Sequence, residues 1–274
     1  MKYVVSASRR TDMPSRYLDR LVTYVEQGYA DVRNPFSGKI TTVDLDPGRV
    51  HTLVLWSKNF APFLKNSHPF RRYHLYFLFT VNDMPVLEPA IPPLAERLDQ
   101  AEELARRYGA RHIGWRYDPI VFRSDGPVST IESFRRIGER MAGIGVDRAI
   151  FSFLDFYGKV KARNSALGLN LVDPPEEVKT TYAGYLAGIA AGLGMSLFSC
   201  CEPLGNIDGV TPSSCIDGRL LAELGGEPVS TAKDTGQRRE CNCAVSRDIG
   251  SYRDMPCGNG CLYCYANPVI RRDM

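Results

Sequence analysis

Long hydrophobic runs are missing from this sequence of 274 residues. None approaches the roughly 18 apolar residues that would suggest a membrane span, and the longest candidate, around Ala183–Leu197, is broken by four glycines. Histidine is scarce. His51, His68, His74 and His112 stand apart with no paired spacing, so a histidine metal site or a Ser–His–Asp triad is poorly supported and the four read as structural. A Gly-x-x-x-x-Gly-Lys phosphate loop is absent. Gly184, Gly188, Gly192 and Gly194 fall in a helical pattern, where close helix packing explains them better than a nucleotide does. Charge of one sign is not in excess: against 31 Asp and Glu stand 34 Lys and Arg, a net charge of +3. That balance neither demands nor excludes a nucleic acid partner. No charged-then-apolar leader opens the sequence, so a soluble protein in a reducing cytoplasm, with no membrane partner, is expected.

What the sequence does have is alternation. Short apolar runs predict strands at Lys2–Ala7, Val50–Trp56, His74–Val81, His112–Tyr117, Ala149–Leu154 and Met195–Cys200, with a weaker one at Tyr29–Arg33. Amphipathic stretches at Ser15–Gln27, Pro93–Tyr108, Thr130–Met141 and Pro175–Leu193 predict helices between them. Start signals mark these helices: Pro14-Ser15 after Asp12, Pro92-Pro93, Ser129-Thr130 before Glu132, and Pro174-Pro175. The order implies an α/β fold with parallel strands, closing as a TIM-like or partial (β/α) barrel, with an open doubly wound sheet as the rival. Residues 1–200 would form the barrel core. Residues 201–274, rich in Gly, Cys, Arg and Asp with only Gly218–Leu224 looking helical, would pack over its mouth as a cluster-binding segment.

Nearly every predicted strand ends in polar chemistry on its C-terminal side, where parallel α/β folds build sites. Lys58, Asn59, Arg116, Tyr117, Asp118, Asp155 and Glu202 stand at such ends, as do Arg9, Arg10 and Asp12 after the first strand. Double arginines recur, and most read as solvated helix faces or ends. Arg9-Arg10, beside Thr11 and Asp12, is the exception and suits binding of a phosphate or carboxylate.

Cysteine is the abundant oddity, with eight in the chain and five between Cys241 and Cys264. Cys257, Cys261 and Cys264, separated by three and then two residues, can turn a loop around one 4Fe–4S cubane, each thiolate taking a different iron. Gly258 and Gly260 would let the backbone pass close to the inorganic sulfides. Three ligands leave a fourth iron open to S-adenosylmethionine. Cys200, Cys215, Cys241 and Cys243 are enough for a second 4Fe–4S cluster or a zinc ion, or for one thiol to close the first cluster. Bare spacing does not separate soft metals, and Cys201 is left unmatched.

The C-x3-C-x2-C spacing, with Tyr263 before the last cysteine, resembles the radical S-adenosylmethionine superfamily, and Tyr263-Cys264-Tyr265 looks like the corresponding loop of spore photoproduct lyases. Over nearly its full length the chain is similar to the bacterial family known as domain of unknown function 1848. Ser6–Asp12, Val32–Phe36, Trp56–Asn59, Trp115–Pro119, Ser152–Asp155 and the tail from Cys241 carry that resemblance. In the radical superfamily the three-cysteine loop follows the first strand; here it comes after all the predicted strands, so the order looks permuted. The implied function is a radical enzyme that forms a deoxyadenosyl radical to abstract hydrogen from a substrate, with a reductant such as a flavodoxin or ferredoxin as partner. The substrate is a small molecule, a peptide or a nucleic acid base. Arg116 or Arg10 would hold the S-adenosylmethionine carboxylate and Glu202 its ammonium, with Arg9 and Asn59 nearby. Tyr117, Asp118, Lys58, Asp155 and Asp12 are candidates for hydrogen or proton donors or substrate anchors. Two further readings stand beside this one: a non-catalytic 4Fe–4S protein for electron transfer or redox sensing, and a zinc-stapled barrel acting on an anionic substrate.

Overall fold

The computed structural model describes residues 1–34, 37–212, 214–266 and 268–270. Pro35 and Phe36 of the Val32–Phe36 motif, and the Arg271-Arg272 pair, lie outside the described residues. Eight parallel strands form the main sheet: β1 (Tyr3–Ala7), β2 (Val50–Ser57), β3 (His74–Thr80), β4 (Ile113–Ile120), β5 (Arg148–Phe153), β6 (Ser196–Ser199), β7 (Val210–Pro212) and β8 (Ser246–Asp248). Their order is β7-β6-β5-β4-β3-β2-β1-β8. That is the cyclic order of a (β/α) barrel, with one junction, between β7 and β8, carrying no strand pairing among the described residues. The fold is therefore mixed α/β with a large parallel sheet of partial-barrel type.

Alternation along each strand sorts the core into two layers, because successive side chains point to opposite faces. Val5 and Ala7, Leu53 and Leu55, Phe77 and Phe79, and Ala149 and Phe151 face the outer helices. Leu21, Leu98, Leu104, Phe134, Ile137, Leu186 and Ile189 from those helices complete this layer, and Trp115 stacks on Phe134 at 4.9 Å. The opposite parity, Val4, Val54, Trp56, Tyr76, Leu78 and Ile150, forms a second cluster that also holds Cys200, Cys215, Cys241 and Cys243.

The helices lie at Leu18–Gln27, Leu94–Tyr108, Ile131–Gly143, Glu176–Gly192 and Gly218–Gly225, among others. The expected start signals work by hydrogen bonding. Asp12 accepts from the Ser15 N–H at the head of the short helix Met13–Arg16, and Thr130 accepts from the Ser133 N–H, each satisfying a donor that the helix itself cannot.

Three findings differ from the sequence expectations. Tyr29–Arg33 pairs antiparallel with Ile40–Asp44 in a separate hairpin and is no part of the barrel. The seventh and eighth barrel strands instead come from the Cys-rich segment. The glycines of Glu176–Gly192 are not packing devices: an added Cβ at Gly184, Gly188 or Gly192 would meet nothing within 4 Å. No helix among the described residues is long and apolar enough to cross a membrane.

Candidate functional site

At the C-terminal ends of the strands the chain opens a cavity of about 470 Å³. The exit of β1 contributes Ser8 through Asp12, β2 contributes Trp56, Ser57 and Lys58, and β4 contributes Arg116 and Asp118. Ser152 through Asp155 close the next side. All eight cysteines line this one cavity, and none is in a disulfide.

The Cys257–Cys264 loop is held over the mouth by hydrogen bonds to its backbone and to Asn259. Leu262 N–H donates to Leu87 O at 2.9 Å, and Arg163 donates to the carbonyls of Leu262 and Cys264 at 3.0 and 2.7 Å. Gly260 turns the loop at φ +65°, a left-handed conformation that glycine adopts without Cβ strain. Asp12 anchors the loop to the barrel. It accepts from Asn259 Nδ2 at 2.8 Å, Ser57 Oγ at 2.7 Å and Lys58 N–H at 3.0 Å. Burial raises the Asp12 carboxyl above its ordinary range in spite of these donors.

Burial also pushes the Cys257 thiol up to about 11 and raises Cys261 and Cys264. Three thiols on one tight loop, Cys261 buried and Cys257 and Cys264 half-buried, become thiolates together only when a cation neutralises them, so the donor set fits a soft metal centre. Lys58 stands beside them, paired with Glu88 at 2.7 Å and 5.7 Å from the Tyr263 ring. Glu88 is also within 3.9 Å of Arg97 and accepts from the Tyr263 hydroxyl. Burial alone would raise the Glu88 carboxyl, but Lys58 and Arg97 outweigh it and hold the group below its ordinary range.

On the β1 and β4 side, the Trp56 ring lies 5.5 Å from the Arg9 guanidinium and 4.9 Å from that of Arg116. Asp248 of β8 accepts from Ser6 Oγ at 2.8 Å, Ser8 Oγ at 2.7 Å and Arg9 N–H at 2.8 Å, fixing the path of the β1 exit. Asp118 pairs with Arg116 and accepts from Ser152 Oγ at 2.6 Å, while Asn82 braces its backbone at 3.0 Å on both sides. Arg9 Nη2, Thr11 Oγ1 and Arg116 Nε are buried without a hydrogen-bond partner. Such donors are costly to leave unmade, and all three belong to residues lining the cavity.

The remaining five cysteines gather at the unpaired junction. Cys200 Sγ lies 3.3 Å from Cys215 Sγ and 4.0 Å from Cys201 Sγ. Cys215 and Cys243, Cys243 and Cys241, and Cys241 and Cys201 act on one another's protonation, so the five thiols form one electrostatic group. Donation from Cys215 and Cys241, helped by Arg9 and the Ile216 N–H, holds Cys243 below the usual thiol range although burial opposes it. Among the described residues no group of three or more His, Cys, Asp or Glu side chains is set to hold a single metal ion. A cubane asks for a different arrangement, with one thiolate on each iron.

Of the residues expected from sequence, Arg9, Arg10, Asp12, Lys58, Arg116, Asp118, Asp155 and all seven named cysteines come together in the cavity lining. Tyr117 does not. It has the wrong strand parity, is fully buried in the outer layer, and hydrogen-bonds Thr130 O and Ser133 Oγ at 2.9 and 2.7 Å. Asn59 Oδ1 accepts from Ala61 N–H at 3.1 Å at the start of the following helix, and it too lies outside the lining. Glu202 accepts from Phe153 N–H at 2.7 Å, outside the lining, with its carboxyl pushed up to about 7 by burial. Arg10 spends its guanidinium on Gly250 O at 3.0 Å and on Asp248 at 3.9 Å. His51 and His112 are structural, hydrogen-bonding Glu227 O and Leu75 O.

Sequence reasoning passed over Cys201, Glu88, Asn259, Asp248 and Arg238. Asn259 had a signal, since it sits between the two glycines of the cysteine loop. Arg238 belongs to a double arginine read as a solvated face, yet it pairs with Asp155 at the cavity. Glu88, among prolines, had none.

Comparison with known proteins adds a family and a set of distant shapes. A family model described as Domain of unknown function (DUF1848) matches residues 4–266. No functionally curated protein matches the chain. Among solved structures, a D-hydantoinase is 13% identical with a TM-score of 0.33, covering 74% of this chain and 44% of its own. A dihydropyrimidinase from Brevibacillus agri is 15% identical with a TM-score of 0.33, covering 74% and 46%. The HMG-CoA lyase from Brucella melitensis is 12% identical with a TM-score of 0.32, covering 76% and 83%. The chain thus spans less than half the length of the first two.

Proposed function

The chain belongs to the DUF1848 family, and from the mouth that its fold builds we propose that it holds a 4Fe–4S cluster on Cys257, Cys261 and Cys264 and acts as a radical S-adenosylmethionine enzyme. The observation that carries this reading is the convergence of that loop with charged strand ends in one cavity of about 470 Å³. When bound, such a cluster supplies one electron to the sulfonium of S-adenosylmethionine, whose carbon–sulfur bond breaks to give methionine and a deoxyadenosyl radical.

The chain's own residues bind, orient and exclude water. Asp12, through Asn259 at 2.8 Å, sets the height of the cysteine loop above the barrel. Lys58 and the unpartnered Thr11 hydroxyl meet the anionic end of the ligand. Asp118, held by Arg116, Ser152 and Asn82, has a fixed position from which to anchor a substrate or relay a proton. Tyr157 and Tyr265, with ring centroids 6.0 Å apart, and the Arg238–Asp155 pair screen the opening. A reductant such as a flavodoxin or ferredoxin supplies the electron, and the setting is cytoplasmic.

The test is spectroscopic. Protein purified without oxygen is expected to be brown, and the spin-resonance spectrum of its reduced form to change when S-adenosylmethionine is added. Cys261→Ala is expected to abolish both the signal and S-adenosylmethionine cleavage. Because all eight cysteines face one cavity, the second reading is a closed, non-catalytic 4Fe–4S site with one of the other thiols on the fourth iron. A spectrum indifferent to S-adenosylmethionine selects that reading, and a colourless zinc protein removes both.

A further inference from the structure

We propose that Cys200, Cys215, Cys241 and Cys243 form a second thiophilic metal centre, set into the unpaired junction of the barrel and independent of the Cys257–Cys264 loop. This goes beyond the radical reading and does not depend on it. Its ligands come from three separate stretches that the fold alone assembles: the end of β6, the turn after β7 and the approach to β8. These four thiols are buried, while Cys201, the fifth member of the group, is half-buried and is the spare.

Two observations carry the assignment. The first is density: five free thiols are gathered in one lining, with Cys200 Sγ 3.3 Å from Cys215 Sγ and 4.0 Å from Cys201 Sγ, where an apolar core would normally place branched aliphatics. The second is charge. A tetrathiolate centre, whether one zinc ion or a four-iron cluster, carries about two net negative charges. Three guanidinium groups line the same cavity and act electrostatically on these thiols: Arg9 on Cys243, Arg116 on Cys200 and Cys215, and Arg238 on Cys201. Arg9 Nη2 and Arg116 Nε are buried N–H donors with no acceptor, and metal-bound sulfur is an acceptor for both. The Ile216 N–H already points at Cys243 Sγ at 3.4 Å. As they stand, no three of these thiols surround one metal position; on binding, each thiol still protonated releases its proton to solvent, and all four turn from their neighbours toward the metal.

The position also assigns the centre a role. β7 and β8 share no ladder. Across that gap run short links, among them Ala244 N–H to Ile216 O at 2.9 Å and Ser214 Oγ to Asn242 O at 2.7 Å. A metal ligated from both sides closes the barrel where hydrogen bonds do not.

The experiment measures iron, zinc and acid-labile sulfide per chain in the full-length protein, made without oxygen. It compares the native chain, the Cys257→Ser/Cys261→Ser/Cys264→Ser variant and the Cys215→Ser/Cys243→Ser variant. The triple variant is expected to retain one zinc, or about four iron with about four sulfide, and the double variant to lose that same complement. Either metal supports the proposal and identifies the centre. A triple variant with a native far-ultraviolet spectrum and no stoichiometric metal overturns it, whatever the loop cysteines hold. As a second readout, cobalt(II) titrated into metal-free native protein is expected to give a thiolate charge-transfer band that saturates and is unaffected by Cys257→Ser. Absence of that band overturns the proposal even if the variants fail to fold. Loss of metal confined to the triple variant, with the double variant keeping the native complement, likewise overturns the proposal and leaves only the loop as a metal site.

Discussion

At the scale of single residues, Glu88 is the hub of a buried charge group with Lys58, Arg97 and Tyr263. It is 2% exposed, faces two cations and takes a proton donor from the cysteine loop. Removing one member of a buried charge group leaves the others uncompensated, which costs about 3 kcal/mol or more. Glu88→Gln is therefore expected to lower unfolding stability near neutral pH by ~3 kcal/mol, measured by denaturant titration. Because the folded carboxyl lies below its ordinary range, its contribution is complete above that range and drains away as pH falls through the folded value. The gap between native and variant is thus expected to close in acid; a pH-independent gap would mean that packing, not charge, holds this residue. Glu88 was invisible in the sequence because a glutamate in a proline-rich loop normally faces solvent. Tyr117 shows the converse error. Its neighbours Arg116 and Asp118 do reach the cavity, and the two-residue period of a strand turns the residue between them to the other face.

Elements were legible where they were long enough to show a period. β2, β3 and β4 span eight, seven and eight residues, and the sequence pattern finds each of them. β7 and β8 span three residues each, too few for alternation to register, and they are built from Thr, Pro, Ser, Arg and Asp that read as loop. What makes them strands is their neighbours: β6 offers one open edge and β1 the other. The hairpin of Tyr29–Arg33 failed differently, since its pattern is a genuine strand whose partner is local. The helix Glu176–Gly192 supplies a test at this scale. Gly184 and Gly188 are exposed within it, and a Cβ at either meets only open space. Gly184→Ala is expected to stabilise the fold by about 0.5–1 kcal/mol through lower unfolded-state entropy and better helix propensity, read as a rise in the thermal midpoint. Destabilisation would restore the packing role that the glycine spacing suggested.

For the whole molecule, the sheet has two kinds of closure. Seven junctions are parallel ladders, and the eighth is a gap beside which five thiols collect. Metal removal by an anaerobic chelator is expected to act unevenly. Amides at the gap, such as Ile216 and Ala244, should exchange with solvent at least about tenfold faster, equal to ~1.4 kcal/mol of local stability. Those of β2 to β5 should keep their rates. Uniform acceleration, followed by mass spectrometry, would show that the gap is not a separate cooperative unit. The Ser6–Asp248 hydrogen bond, which joins residues 242 positions apart, carries a consequence in time. Neighbouring units β2 to β5 close shorter loops and are expected to form earlier, whereas pairing β1 with β8 requires closing a loop of about 240 residues. The mouth, whose walls hang from that same aspartate, is thus expected to be completed late in folding, so that the proposed metal would enter a chain whose other strands are already paired.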